Sequence, residues 1–125
     1  MSTEMQKILD RFARGWPAEI SCSSGWYGII KDLDAELALI DPEYQITQIK
    51  EKFGTLRFYF ETKSPRFIEM HEIVYKYEEI SARTCEISGL HGVLMSKNGH
   101  MKTLNSDVAD SSYIIIEVNQ EKWRK

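Results

Sequence analysis

The stretch YQITQIKEKFGTLRFYFET, residues 44–62, decides the fold. In its second half Leu56, Phe58 and Phe60 fall on one face, and Arg57, Tyr59 and Glu61 fall on the other. That period of two belongs to a half-buried β-strand. Lys52-Phe53-Gly54 supplies a turn, so the stretch predicts a β-hairpin. Ile46 and Ile49 differ in parity, which predicts a bulge or irregular pairing in the first strand.

On both sides the period changes to that of a helix. Met5, Ile8, Leu9 and Phe12 predict a helix over 3–15, capped by Ser2 or Thr3 and stopped by Trp16-Pro17. Trp26, Ile30, Leu33, Leu37 and Ile40 form one stripe and predict a second helix over 25–40, stopped by Asp41-Pro42. After the hairpin, Ser64-Pro65 reads as a helix start, and Phe67, Met70, Val74, Tyr77 and Ser81 carry that helix to about Ala82. Asn98-Gly99 sits in the turn of a second hairpin, GVLMSKNGHMKTL. The polar run NSDVADSS fits one capped helical turn, and YIIIEV, residues 113–118, is the clearest strand pattern. The order is therefore α-α-β-β-α-β-β-β, a single small α+β domain of antiparallel hairpins packed against helices. Its parts are a helical acidic part (1–43), the hairpin (44–62), a helix (64–83), and a turn, hairpin and C-terminal strand (84–118).

The totals agree with one globular domain: 125 residues, 42% hydrophobic and 28% charged. No apolar run is long enough to span a membrane, and the N-terminal residues lack a secretory apolar core, so a cytoplasmic protein is expected. Cys22 and Cys85 are then expected as reduced thiols. Net charge is −3, distributed as −4 over residues 1–43, +2 over 44–104 and −1 over 105–125. A nucleic-acid binder usually carries a clear basic excess, and this chain does not. The acidic part, with Asp32, Asp34 and Glu36, could meet a basic partner or simply be a solvated face.

Chemical motifs are sparse. HEIVY, residues 71–75, starts like a zinc-binding helix but ends on Tyr75. Phosphate-loop and nucleophile-elbow patterns do not occur. Cys22 precedes a helix, a setting that can activate a thiol, but it has no assignable histidine. TCEISGLHG, residues 84–92, has the rhythm of a metal knuckle. Cys85, His91 and His100 are the candidate ligands there, and the plainer reading makes Cys85 a small buried hydrophobe. No cofactor is expected. Lys50, Lys52, Phe53, Arg57 and Tyr59 give the hairpin 48–60 a basic, aromatic character suited to phosphate contact and base stacking. The plainer reading folds Phe53 onto the core and leaves the lysines solvated.

The segments GWYGIIKDLDAELALID, QIKEKFGTLRFYF, SARTCEISG and KTL, within about residues 25–108, resemble a family of small uncharacterised bacterial and phage proteins. The resemblance implies relatedness of fold. It also implies a C-terminal structural zinc site, with ligands at positions 85, 88, 105 and 108. Here Cys85 is kept, while Ser88, Asn105 and Val108 occupy the other places. Serine and asparagine are poor zinc ligands and valine is none. A metal-free fold is therefore expected, with residues 113–118 pairing with an existing strand and burying Tyr113, Ile114, Ile115, Ile116 and Val118. The alternative is a homodimer through that strand. The functional expectation is a non-enzymatic protein-interaction module, a phage or mobile-element modulator of the inhibitor or immunity type. Asp32, Asp34, Glu36, Lys50, Lys52, Phe53, Arg57 and Tyr59 are its candidate contacts with another protein. The alternative is nucleic-acid binding through the hairpin.

Overall fold

In the computed structural model, which describes residues 3–116, Phe53 and Gly54 close the first hairpin with φ angles of 53° and 87°. Two successive positive φ values give the tight turn whose twist matches that of paired strands. The strands are β2 (Gln45–Lys52) and β3 (Thr55–Glu61), antiparallel, with the register shifting between Ile46 and Gln48. The bulge expected from the parity of Ile46 and Ile49 is there. A short strand the sequence pattern did not reveal, β1 (Ile20–Ser21), runs parallel to β2 and completes a three-stranded sheet.

Three helices cover the core face of this sheet. Helix α1 spans Thr3–Asp10, shorter than the expected 3–15. Its end is set by tertiary pairing: Ala13 N–H donates to Ile46 O and Ile46 N–H donates to Arg11 O, so residues 11–13 leave the helix to extend the start of β2. A 3₁₀ turn, Ser24–Trp26, leads into α2, Tyr27–Ile40. Helix α3 spans Phe67–Ser81. Ser64 does not cap it directly; its hydroxyl accepts the Arg66 N–H in a local turn before the helix. Met5, Ile8, Trp26, Ile30, Leu33, Leu37, Ile46, Ile49, Leu56, Phe58, Met70 and Val74 fill the space between helices and sheet. Burial of each such side chain is worth about 1.5–3 kcal/mol before conformational entropy is charged.

Ser81 lies on the apolar stripe of α3 and is fully buried. Its hydroxyl accepts the Leu56 N–H at 2.9 Å, and the Glu78 carboxylate accepts the Phe58 N–H at 3.0 Å. Helix α3 thus covers the outer edge of β3 with side-chain acceptors, which satisfies backbone groups that an edge strand leaves open.

The second sheet has the order β5-β4-β6, from β4 (Val93–Lys97), β5 (His100–Leu104) and β6 (Ile114–Ile115). Asn98 and Gly99 turn the β4–β5 hairpin with φ of 51° and 81°. Asn105 starts a single turn: its side chain accepts the Asp107 N–H, and its carbonyl accepts from Val108 and Ala109. Strand β6 pairs antiparallel with β4, Met95 opposite Ile115 and Ser96 opposite Ile114. The pairing expected of residues 113–118 is therefore made within the chain at residues 114–115; residues 117 and 118 lie outside the described residues. The expected burial is not made there. Ile114 is 71% and Ile115 61% exposed, because β6 is an edge strand carried by a small sheet. The small core of this sheet is instead Cys85, Met95 and Leu104, flanked by Val93, Ala109 and Tyr113.

Gly25 shows how closely the two parts approach. A Cβ there would lie 2.3 Å from Glu86 O and 2.4 Å from Cys85 O, both backbone atoms. Gly28, two positions into α2, has nothing within 4 Å. Gly25→Ala should lower stability by about 2–3 kcal/mol, as overpacking against backbone does. Gly28→Ala should raise it by up to about 1 kcal/mol through helix propensity. Urea denaturation midpoints of the two variants measure both.

Candidate functional site

Glu86, in the middle of TCEISGLHG, is 2% exposed, and its polar groups are all engaged. Its Oε2 accepts the Ser23 N–H at 2.9 Å, and its carbonyl accepts the Gly25 N–H at 2.7 Å. Its own N–H donates to Thr103 O at 3.0 Å. Lys102 Nζ sits 3.1 Å from Glu86 Oε1 and 3.2 Å from Glu51 Oε1, and the other Glu51 oxygen accepts the Gly54 N–H. Thr103 Oγ1 donates to Gly54 O at 2.7 Å, and Trp26 Nε1 donates to Thr84 O at 2.9 Å. The tip of the first hairpin, the loop before α2 and the second sheet are thereby locked together. Sequence reading did not single out Glu86, Lys102 or Glu51. A glutamate in a turn reads as a solvated charge, and its partner Ser23 lies 63 positions away.

The thiols differ in character. Burial pushes Cys22 up to about 12, reinforced by the Glu86 charge, so it stays protonated at neutral pH. Burial also pushes Cys85 upward, but the Ser88 hydroxyl and the N–H groups of Ser88, Asn105 and Ile87 outweigh it and leave the thiol below its ordinary value. Two of the places where the resemblance implies zinc ligands, 88 and 105, thus do stand around the Cys85 sulfur. Their chemistry does not suit zinc. Asn105 spends its side chain on His91 O and on the Asp107 N–H, and Ser88 offers only a hydroxyl. His91 and His100 do not complete a set with Cys85: both are exposed, and His100 begins β5 at the hairpin turn. Among the described residues no group of three or more His, Cys, Asp or Glu side chains is placed to hold a metal ion.

The acidic candidates on α2 are mostly engaged within the chain. Asp34 Oδ1 lies 2.6 Å from Arg11 Nε and accepts the Tyr44 hydroxyl. Glu36 accepts from Tyr77 and pairs with Lys76 at 2.9 Å, and these two partners hold its carboxyl below the usual range. Asp32 is exposed.

The hairpin candidates are brought together. Lys50 stands opposite Arg57 in the β2–β3 register, Lys52 opposite Thr55, and Gln48 opposite Tyr59. They alternate with buried Ile49, Leu56 and Phe58 and so take the other face of the sheet. Phe53 does not fold onto the core as the plainer reading expected; it is 60% exposed. Positive φ costs a residue with a Cβ about 1–2 kcal/mol, so the turn holds this ring outward at the expense of backbone strain.

Beside Phe53 lies a groove of about 470 Å³. The second sheet touches the first at the hairpin tip, and the groove is the space left between β3, the end of α3, β4 and β6. Leu56, Ala82, Val93, Leu94 and Ile115 line it, with Arg57, Glu78, Arg83 and His91 also contributing. A smaller groove of about 380 Å³ follows β3 in the other direction toward His71 and Tyr75, and shares Arg57 and Glu78 with the first. Burial raises the Glu78 carboxyl, against the Phe58 N–H and the Arg57 charge.

Compared with family models, with curated proteins and with solved structures, the chain matches none. Among the described residues no helix is long and apolar enough to cross a membrane.

Burial works against the charge on Lys102, but the hydrogen bonds and charges of Glu86 and Glu51 more than offset it, and the ammonium is held above its ordinary value. A lysine so raised lends stability that is complete below its unfolded pKa of about 10.4 and is lost as pH rises through the folded value. Lys102→Met should cost about 2–3 kcal/mol at neutral pH, below the usual cost of breaking a fully buried pair because Lys102 is partly exposed. It should also make the loss of stability above about pH 10 shallower than in the parent chain. Thermal unfolding across the alkaline range checks both.

Proposed function

We propose that this chain is a non-enzymatic module that binds another protein through the groove beside β3. The observation that carries the reading is Phe53: a strained turn holds a large ring 60% exposed at the wall of an apolar groove. Strain of this kind persists where surrounding structure enforces it and clusters at ligand-binding positions. An aromatic group beside an apolar concavity is the usual anchor arrangement of a protein interface. Ile115, 61% exposed on the facing strand, adds apolar surface to the same mouth. The internal pairing of Asp34 and Glu36 argues against α2 as the main contact surface. A role as a phage or mobile-element modulator, of the inhibitor or immunity type, belongs to the same proposal and rests on the resemblance carried by the segments within about residues 25–108.

Nucleic-acid binding through the hairpin is the second reading. It is favoured by Lys50, Lys52, Arg57 and Tyr59 sharing one sheet face with Phe53 at its end. The net charge of −3 and the apolar lining of the neighbouring groove weigh against it.

Quantitative capture from source cells separates these readings. The parent chain should retain one protein in stoichiometric amount, and Phe53→Ser and Ile115→Arg, both exposed and compatible with folding, should each lose it. Equal retention by all three chains, or retention that disappears on nuclease treatment, would contradict the proposal.

A further inference from the structure

Lys50 and Arg57 are placed directly opposite each other on neighbouring strands. Like charges in that relation destabilise a strand pair. Among the described residues, neither has a carboxylate within ion-pair distance. Arg57 Nε is shielded from water and has no hydrogen-bond partner among the described residues. Lys52, whose Nζ lies 5.5 Å from the centre of the Phe53 ring, extends the strip to the turn. This cationic row and the apolar groove meet at Arg57, which belongs to both.

We infer that the groove takes an acidic peptide segment carrying an apolar anchor. The anchor side chain enters between Leu56, Ala82 and Leu94. Carboxylates next to it lie along Arg57, Lys50 and Lys52, where they relieve the like-charge pair. Glu78 and Glu79 stand on the α3 side of the groove, so the acidic residues of the segment run on the β2 side. This inference rests on the protein-binding reading above and adds the chemistry of the partner. Nucleic acid fits less well. A base inserted against Val93, Leu94 and Ile115 would leave its polar edge unpaired, and the cationic row is short for a polyanion.

The test is selection of random short peptides from a displayed library on the full-length chain, followed by titration of the synthesised consensus peptide. A labelled single-stranded DNA oligonucleotide is titrated in parallel. The consensus should carry an aliphatic or aromatic residue flanked by Asp or Glu. Its affinity should fall with salt, and should fall about tenfold or more in Arg57→Gln. Ala82→Phe, which fills the groove, and Ile115→Asp, an exposed change on its wall, should each abolish binding, with unfolding curves confirming that both variants fold. Consensus peptides that lack acidic residues and ignore Arg57→Gln, yet are lost in Ala82→Phe and Ile115→Asp, would overturn the acidic partner and leave the protein-binding reading standing. Failure to select any groove-dependent peptide, or binding of the oligonucleotide alone through Lys50 and Arg57, would overturn both.

Discussion

A buried carboxylate holds the two sheets together. Glu86 is nearly inaccessible to solvent, and its four polar groups tie the loop before α2, at Ser23 and Gly25, to strand β5, at Lys102 and Thr103; through Lys102 the network continues to Glu51 at the first hairpin. An ionised carboxylate out of water is tolerated only when paired and hydrogen-bonded. Here both side-chain oxygens have donors, one an ammonium and one a backbone N–H. Removing any of these donors leaves charge in a poorly solvated place, so the network acts as a unit. The second sheet has a small core of its own, Cys85, Met95 and Leu104. Its attachment therefore depends on polar contacts around Glu86, on Trp26 donating to Thr84, and on the close fit of Gly25 against the Cys85 and Glu86 carbonyls.

The same attachment makes the groove. The second sheet meets the first at Glu51 and Gly54, through Lys102 and Thr103. Space is left between β3, α3 and β4, with apolar walls drawn from both parts. The edge of β3 beside it is closed to strand addition at Leu56 and Phe58, whose N–H groups are taken by Ser81 and Glu78. A ligand there must use side-chain contacts, which is why Phe53 and Arg57 matter more than the strand backbone.

Much of this was legible in the sequence. The period of two in residues 55–61, the stripes of α2 and α3, both hairpin turns and the bulge after Ile46 follow from local pattern, because local pattern is what sets them. Three features were not legible, each because a distant partner decides it. Helix α1 stops at Asp10, where the next residues find Ile46. Strand β1 is two residues long and exists only against β2. YIIIEV carries the clearest strand pattern, yet Ile114 and Ile115 stay exposed at the edge of a small sheet, and the density of apolar residues overstated its burial. At the site, Lys50, Lys52, Arg57 and Tyr59 came together on one face, as alternation required. The exposure of Phe53 could have been suspected from its place before Gly54 in a tight turn. Glu86 could not, since nothing local distinguishes a buried glutamate in a turn from a solvated one.

If Glu86 makes the two sheets one cooperative unit, native-state hydrogen exchange should show it at the amides it organises. The Gly25 and Glu86 N–H groups, bonded to Glu86 O and Thr103 O, should exchange only with global unfolding, at the same opening free energy as the Ile46 N–H in the first sheet. Exchange of Gly25 and Glu86 through a smaller opening, with Ile46 still fully protected, would contradict it.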